Sequence, residues 1–290
     1  MITATEIYIP PNCVTLKDIT ETQIRLGLQG YGGSGKTCAA LSFPNPIVLN
    51  TDRGLGFHLG RSDVIDVPFH SVDFCKKLKN GYMPWMLKDV LTAWLEKEAP
   101  KLVKGQTLVI DGSTGLQNAY HRWFLMNQDK FLTKGGQVDG FAEWQQKKVW
   151  FGDLMDIFKS LNCDVVYLCH EVDQKDKNTV TGPVYSGKVR PLLTGAFGDE
   201  LVSHFTDWFR QLNQDKNPDV EDSKLKYWGM PRSEYQKMLG TFPANTVYFW
   251  QTEGNDVFDA KRSSLVNAPR YIPASYESFC RYRRKVSGQQ

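Results

Sequence analysis

One short run of residues combines types and spacing that suit phosphate chemistry: Gly30-Tyr31-Gly32-Gly33-Ser34-Gly35-Lys36-Thr37. It follows the pattern G-x-x-x-x-G-K-[ST]. Glycines let a backbone wrap closely around oxygen atoms. The inward N–H groups of such a loop bind anions, and the N-terminus of the helix that follows adds its dipole. Lys36 supplies a mobile positive charge to the β- and γ-phosphates, and the Thr37 hydroxyl suits a Mg²⁺ ion. The spacing points to ATP and Mg²⁺ as cofactors, with Gly30, Gly32, Gly33, Ser34, Gly35, Lys36, Thr37 and the adjoining Cys38 around the phosphates.

A loop of this kind needs an acid on a neighbouring strand to hold the metal through water. The apolar run Thr107-Leu108-Val109-Ile110 ends in Asp111, so Thr37 and Asp111 are the expected metal residues. Hydrolysis also needs a group that orients or deprotonates water. Asp52 lies just past the short strand Ile47-Val48-Leu49, and Glu171 just past the run 165–169. Both strand ends face the ligand, because ligands sit at the carboxyl ends of parallel strands. Asp52 is the preferred water-activating acid and Glu171 the alternative. His170, beside it, either donates a hydrogen bond to the γ-phosphate or is a packing residue.

The elements that must position these groups are legible from periodicity. Residues 23–28 alternate apolar and polar, as a strand does, and residues 37–41 begin a short helix ended by Pro44 and Pro46. A third strand falls at 64–67. Helical spacing runs through 85–95, 116–126 and 150–161, and an apolar strand through 165–169. Continuous apolar strands alternating with helices imply an α/β fold with a mostly parallel sheet covered on both faces. Residues 171–192 are polar and aperiodic and read as a long loop. Residues 214–223 form a second polar break. Residues 246–250 and 256–260 suggest a hairpin across Glu253-Gly254-Asn255, and 276–284 a terminal helix. The expected organisation is an N-terminal arm at 1–20, a core at 21–212, and an extension at 213–290 that either completes the sheet or stands apart from it.

Composition narrows the class. The chain has 290 residues, 41% hydrophobic and 23% charged, an ordinary globular balance. No apolar run approaches the roughly 18–20 residues of a membrane span, and no signal peptide is legible, so a cytosolic protein without a membrane partner is expected. The six cysteines form no C-x-x-C pair, which argues against a disulfide framework or zinc site. The net charge of +3 is only mildly basic, so nucleic-acid binding depends on where the charges lie. Lys175, Lys177, Lys188 and Arg190 with Tyr185 are candidates to bind DNA phosphates and stack on bases, though Asp173 and Asp176 dilute that charge. A second cluster, Arg281, Arg283, Arg284 and Lys285 with Tyr282, suits single strands, an acidic partner tail, or simply the end of a helix dipole.

These residues together resemble the RecA-like branch of P-loop ATPases. Val48-Leu49-Asn50-Thr51-Asp52 has the form of that branch's strand ending in a catalytic acid, with Asp where bacterial RecA has Glu. Val109-Ile110-Asp111-Gly112-Ser113 resembles its Asp-Ser strand end with one glycine interposed, and His170 stands where the γ-phosphate sensor is usually Gln. Within the branch, Ser42-Phe43-Pro44-Asn45-Pro46, Thr51-Asp52-Arg53-Gly54 and Cys169-His170-Glu171 resemble phage-encoded core ATPases of the Sak type over residues 22–212. The resemblance implies an ATPase that binds single-stranded DNA for annealing or strand exchange in the host cytosol. It also implies self-association into a ring or filament, and a single-strand-binding protein as a further partner. It makes 172–195 a DNA-binding loop. It also places a basic residue of the neighbouring subunit at the phosphates, for which Lys261 and Arg262 fit unless they are a solvated pair. Two other readings stand beside it. One is a nucleotide-gated adaptor with slow hydrolysis that acts on a protein partner. The other, ranked last, is a small-molecule phosphotransferase, for which the single arginine in 172–192 makes a poor lid.

Overall fold

The computed structural model describes residues 23–179, 182–193, 197–213, 221–242 and 246–283, with the side chains of 57, 175–186, 199 and 227 outside that description. The expected N-terminal arm and the basic pair Arg284 and Lys285 lie outside the described residues.

The strands are β1 (Arg25–Gly30), β2 (Pro46–Asn50), β3 (Ile65–Val67), β4 (Thr107–Asp111), β5 (Asp164–Thr179), β6 (Gly182–Pro191), β7 (Asp207–Asn213), β8 (Tyr248–Gln251), β9 (Lys261–Arg262) and β10 (Tyr271–Pro273). The helices are α1 (Lys36–Ala40), α2 (Val72–Leu78), α3 (Leu87–Lys97), α4 (Ser113–Leu125), α5 (Gly140–Ser160), α6 (Phe197–Glu200), α7 (Asp222–Trp228), α8 (Arg232–Thr241) and α9 (Tyr276–Tyr282). The strands form one sheet in the order β10-β8-β7-β1-β5-β4-β2-β3, with β6 paired to β5 and β9 to β7. Strands β7, β1, β5, β4, β2 and β3 run parallel. This is the α/β fold with a mostly parallel sheet that the alternation of strands and helices implied.

The apolar runs are continuous because both faces of the sheet are buried. Ile47, Leu49, Leu108, Ile110, Val165, Tyr167 and Cys169 pack on one face with residues of α3, α4 and α5. Their neighbours Val48, Val109, Val166 and Leu168, with Leu26 and Leu28, pack on the other with Ala39 and Ala40 of α1 and Phe279 of α9. Side chains of a strand alternate faces, so an unbroken apolar run is the pattern of a two-sided core. Each fully buried branched side chain contributes roughly 1.5–3 kcal/mol. A third cluster packs α7 and α8 against β7, β8 and β10 through Trp228, Tyr235, Leu212, Phe249 and Tyr271. Strands from the last third of the chain thus join the same sheet.

Two sequence expectations are corrected. Residues 171–179 and 182–191 are no loop: β5 runs on past its buried segment and pairs antiparallel with β6, in a ribbon with register shifts between Asp173 and Lys175 and between Lys175 and Lys177. Polar residues on both faces and these shifts erase the period-2 signal by which strands are recognised. The hairpin expected between 246–250 and 256–260 does not form. Strand β8 pairs with β7 and β10 instead, and β9 pairs with β7. Residues 255–258 close a compact turn in which Asn255 Oδ1 accepts the backbone N–H groups of Val257 and Phe258, each at 2.9 Å. The Asn255 amide in turn donates to the carbonyls of Trp228 and Gly229, at 3.0 and 3.2 Å.

Candidate functional site

Strand β1 ends at Gly30, the glycine loop turns over residues 31–35, and α1 begins at Lys36. Gly35 takes φ +85°, and a Cβ there would lie 2.4 Å from the Tyr248 ring, so the loop packs directly on β8. Lys36 is buried, and its ammonium donates to the carbonyls of Gly30 at 2.8 Å and Tyr31 at 2.9 Å. Burial pushes its pKa down to about 8, against the opposing pull of Cys169, Glu171 and Asp111. A desolvated cation is a strong attractor for phosphate oxygens.

Strand β5 lies between β1 and β4, so Asp111 is one strand removed from the loop that carries Lys36. The Thr37 hydroxyl nevertheless comes within 3.4 Å of both Asp111 carboxylate oxygens. Burial pushes Asp111 up to about 6, with the nearby Asp52 charge adding to the shift and Thr37 and Lys36 opposing it. Asp52 is exposed, and its pKa too is raised by desolvation.

The glycine interposed after Asp111 has a structural reason. Gly112 takes φ +110°, and a Cβ there would fall 2.3 Å from Asp52 Oδ2. A Cβ on Gly115 would fall 2.5 Å from Asp52 Oδ1. The Asp52 carboxylate therefore rests on the backbone at the start of α4, where the helix N-terminus favours negative charge. Thr51 fastens the same junction by donating to the carbonyls of Asp111 and Gly112, both at 3.0 Å.

These groups open on one cavity of about 600 Å³, within the range typical of small-molecule sites. Gly33, Gly35, Lys36, Thr37, Cys38, Asp52, Asp111 and His170 line it, joined by Gly54, His58, Gly112, Leu168 and Tyr248. His170 is half-buried and is held toward its neutral form by burial and by Lys36. Gly30, Gly32 and Ser34 complete the loop, and the buried Ser34 hydroxyl has no partner among the described residues. Sequence reasoning missed Tyr248 and His58. Tyr248 belongs to no motif and reaches the loop only because β8 pairs with β7. His58 sits in a 3-10 turn at Gly54–His58, its Nε2 3.7 Å from Cys38 Sγ.

Other candidates lie elsewhere. Glu171 does not line the cavity. Its buried carboxylate accepts Arg210 Nε and Nη2, each at 3.0 Å, and this bidentate pair leaves it in no position to activate water. Lys261 and Arg262 do not line the cavity either. They pair with Trp208 and Asp207 at the start of β7, the end of the sheet away from the glycine loop. Lys261 donates to the carbonyls of Ser203 and Phe205, and Arg262 to that of Ala268. Lys175, Lys177 and Tyr185 fall on the β5–β6 ribbon, with side chains outside the described set. Lys188 lies 3.7 Å from Asp259, and Arg190 sits at the root of the ribbon. Cys38, Cys75, Cys163, Cys169 and Cys280 are free thiols.

The donor set fits a magnesium–nucleotide. Mg²⁺ takes oxygen ligands and is usually held by one or two carboxylates together with substrate phosphates. Asp111 offers one carboxylate and Thr37 a hydroxyl oxygen within 3.4 Å of it, beside the glycine loop. Among the described residues no group of three or more His, Cys, Asp or Glu side chains is placed to hold a metal.

A raised carboxylate pKa has a definite sign in stability. With a folded pKa of about 6 against 3.8 unfolded, Asp111 is a penalty above pH 6 that fades as pH falls from 6 toward 4. The nucleotide-free Asp111→Asn variant is expected to melt above wild type at pH 7–8, by at most about 3 kcal/mol, with the advantage lost near pH 4. Thermal melts across pH check this, and an advantage that grows toward pH 4 contradicts it.

Residues 22–262 match the AAA domain family AAA_24. The chain belongs to the AAA_24 family. No curated protein matches its sequence. Among solved structures, the AAA_24 chain is similar to a RadB recombinase at 14% identity and a TM-score of 0.33, over 67% of this chain and 77% of that one. It is also similar to an ATPase from the type III secretion system of pathogenic bacteria at 12% identity and a TM-score of 0.37. That alignment covers 64% of this chain and half, 50%, of the other. The AAA_24 chain is thus a P-loop ATPase domain, and no helix among its described residues is long and apolar enough to cross a membrane.

Proposed function

We propose that this AAA_24 chain is an ATP-hydrolysing, phage-encoded recombination protein of the Sak type that acts on single-stranded DNA, by annealing or strand exchange, as a ring or filament. The observation that supports this most is the continuity of β5. It carries His170 into the nucleotide cavity and runs without a break into the ribbon bearing Lys175, Lys177, Tyr185, Lys188 and Arg190. A single strand thus joins the phosphate site to the basic ribbon.

In this proposal Lys36 and the loop amides bind the phosphates, and Thr37 and Asp111 hold Mg²⁺. Bound there, the ion neutralises charge on the phosphoryl oxygens. Asp52 orients the attacking water from the start of α4. His170, kept neutral, donates to the γ-phosphate. Lys261 and Arg262, remote from their own cavity, serve a neighbouring subunit's site. The cytosol and a single-strand-binding protein partner belong to the same proposal.

The test is ATP turnover with and without single-stranded DNA. Turnover is expected to rise with single-stranded DNA, together with salt-sensitive DNA binding. ATP turnover that DNA leaves unchanged, with no salt-sensitive binding, points instead to a nucleotide-gated adaptor acting on a protein partner. The pairing of Lys188 with Asp259, which spends one ribbon cation, favours that second reading.

A further inference from the structure

A second cavity, of about 510 Å³, opens at the root of the β5–β6 ribbon. Five separate segments wall it: the end of β1, the outer part of β5, β6 at 189–191, residues 198–203, and the turn 258–261. The lining mixes apolar surface from Val189, Val202 and Phe258 with the polar groups of Gln29, Gln174 and Arg190. Gln29 is only 1% exposed, yet its amide is half used. Oε1 accepts Trp208 Nε1 at 3.1 Å, while Nε2 has no partner among the described residues. A buried amide donor left unpaired costs about 1–3 kcal/mol, so a ligand that offers an acceptor there is favoured. Lys261 adds positive charge at the wall, and Asp259 faces Lys188.

We infer that this cavity holds one nucleotide unit of a bound single strand, its base turned inward. The inference rests on the DNA-binding proposal above. Apolar walls accept the faces of a planar heterocycle, the Gln29 amide meets an acceptor on its edge, and Arg190 attracts the adjoining phosphate. The floor of the cavity also touches the nucleotide site. Gln29 directly precedes Gly30, whose carbonyl accepts from Lys36. Gln29 also pairs in the sheet with Arg210, which holds Glu171 beside His170. A base seated there bears on the two strand ends that form the phosphate site, which gives DNA a route to the ATPase.

The experiment compares binding of a fluorescent oligodeoxythymidylate with that of an abasic deoxyribose-phosphate strand of equal length. The full-length protein is used as wild type, Gln29→Glu and Val202→Trp. Gln29→Glu keeps the acceptor for Trp208 and removes the amide donor; Val202→Trp fills the cavity and leaves Gln29 intact. Wild type is expected to prefer the based strand by about tenfold or more, in keeping with the usual worth of one base contact. Both variants lose most of that preference while binding ATP as wild type does, which reports their folding. If wild type binds both strands equally, or the variants keep the preference, the base pocket is wrong and the DNA proposal survives. If neither strand binds, the DNA proposal fails and the pocket assignment falls with it.

Discussion

Replacing Lys36 with alanine is expected to weaken ATP binding and to lower ATP turnover by at least about 10²–10³-fold, the usual loss when one preorganised donor is removed from a phosphoryl or oxyanion site. The side chain is buried, it is anchored on the Gly30 and Tyr31 carbonyls, and its pKa is already lowered to about 8 by desolvation. Those features mark a charge held out of water, where its attraction for an anion is strongest. The same desolvation means that the ammonium does not stabilise the ligand-free fold. The nucleotide-free variant should therefore melt within a few degrees of wild type. Titration with a fluorescent ATP analogue, turnover assays and thermal melts separate the two effects. A folded Lys36→Ala protein that binds ATP as wild type does would overturn the assignment of the glycine loop.

The second large effect concerns stability. Arg210 and Glu171 are 0% and 1% exposed and meet through two 3.0 Å hydrogen bonds. Removing one partner strands a charge inside the sheet, which costs about 3–5 kcal/mol. Arg210→Met is expected to lower Tm by on the order of 10 °C, from that cost and the usual shift per kcal/mol in a chain of this size. The double variant Glu171→Leu/Arg210→Met should regain most of the loss, because no charge is then left unpaired in the interior. Melts of the single and double variants decide the matter. A single variant as stable as wild type, or a double variant no better than the single, contradicts the account. Glu171 also shows why a strand-end acid is ambiguous in a sequence. It follows His170 by one residue, and alternation sends the two side chains to opposite faces of the strand. His170 reaches the nucleotide cavity, and Glu171 reaches Arg210.

Asp52 and Asp111 were legible because one lies just past a short apolar strand and the other ends one, and the carboxyl edge of a parallel sheet is where such residues converge. The topology brings them together with Lys36, Thr37 and His170 around one cavity. The ribbon at 171–179 and 182–191 was not legible. Its residues are polar on both faces, and its pairing is broken by register shifts, so no periodicity marks it as strand. The pairing expected for 246–250 with 256–260 failed for a related reason. A Gly-Asn turn between apolar runs is a local signal, and the longer-range pairing of β8 with β7 and β10 prevailed over it.

By itself the sequence marked the glycine loop, because its pattern resides in eight consecutive residues whose glycines and lysine need only a strand before them and a helix after. It determined equally the α/β class, since two-sided burial imposes continuous apolar strands wherever they lie in the chain. Only the tertiary structure decided which distant residues meet the loop. Tyr248 against Gly35, Asp52 on the backbone of Gly112 and Gly115, and Arg210 on Glu171 are contacts set by strand order and register. Such contacts arise from the closure of the whole sheet, and no local spacing encodes them.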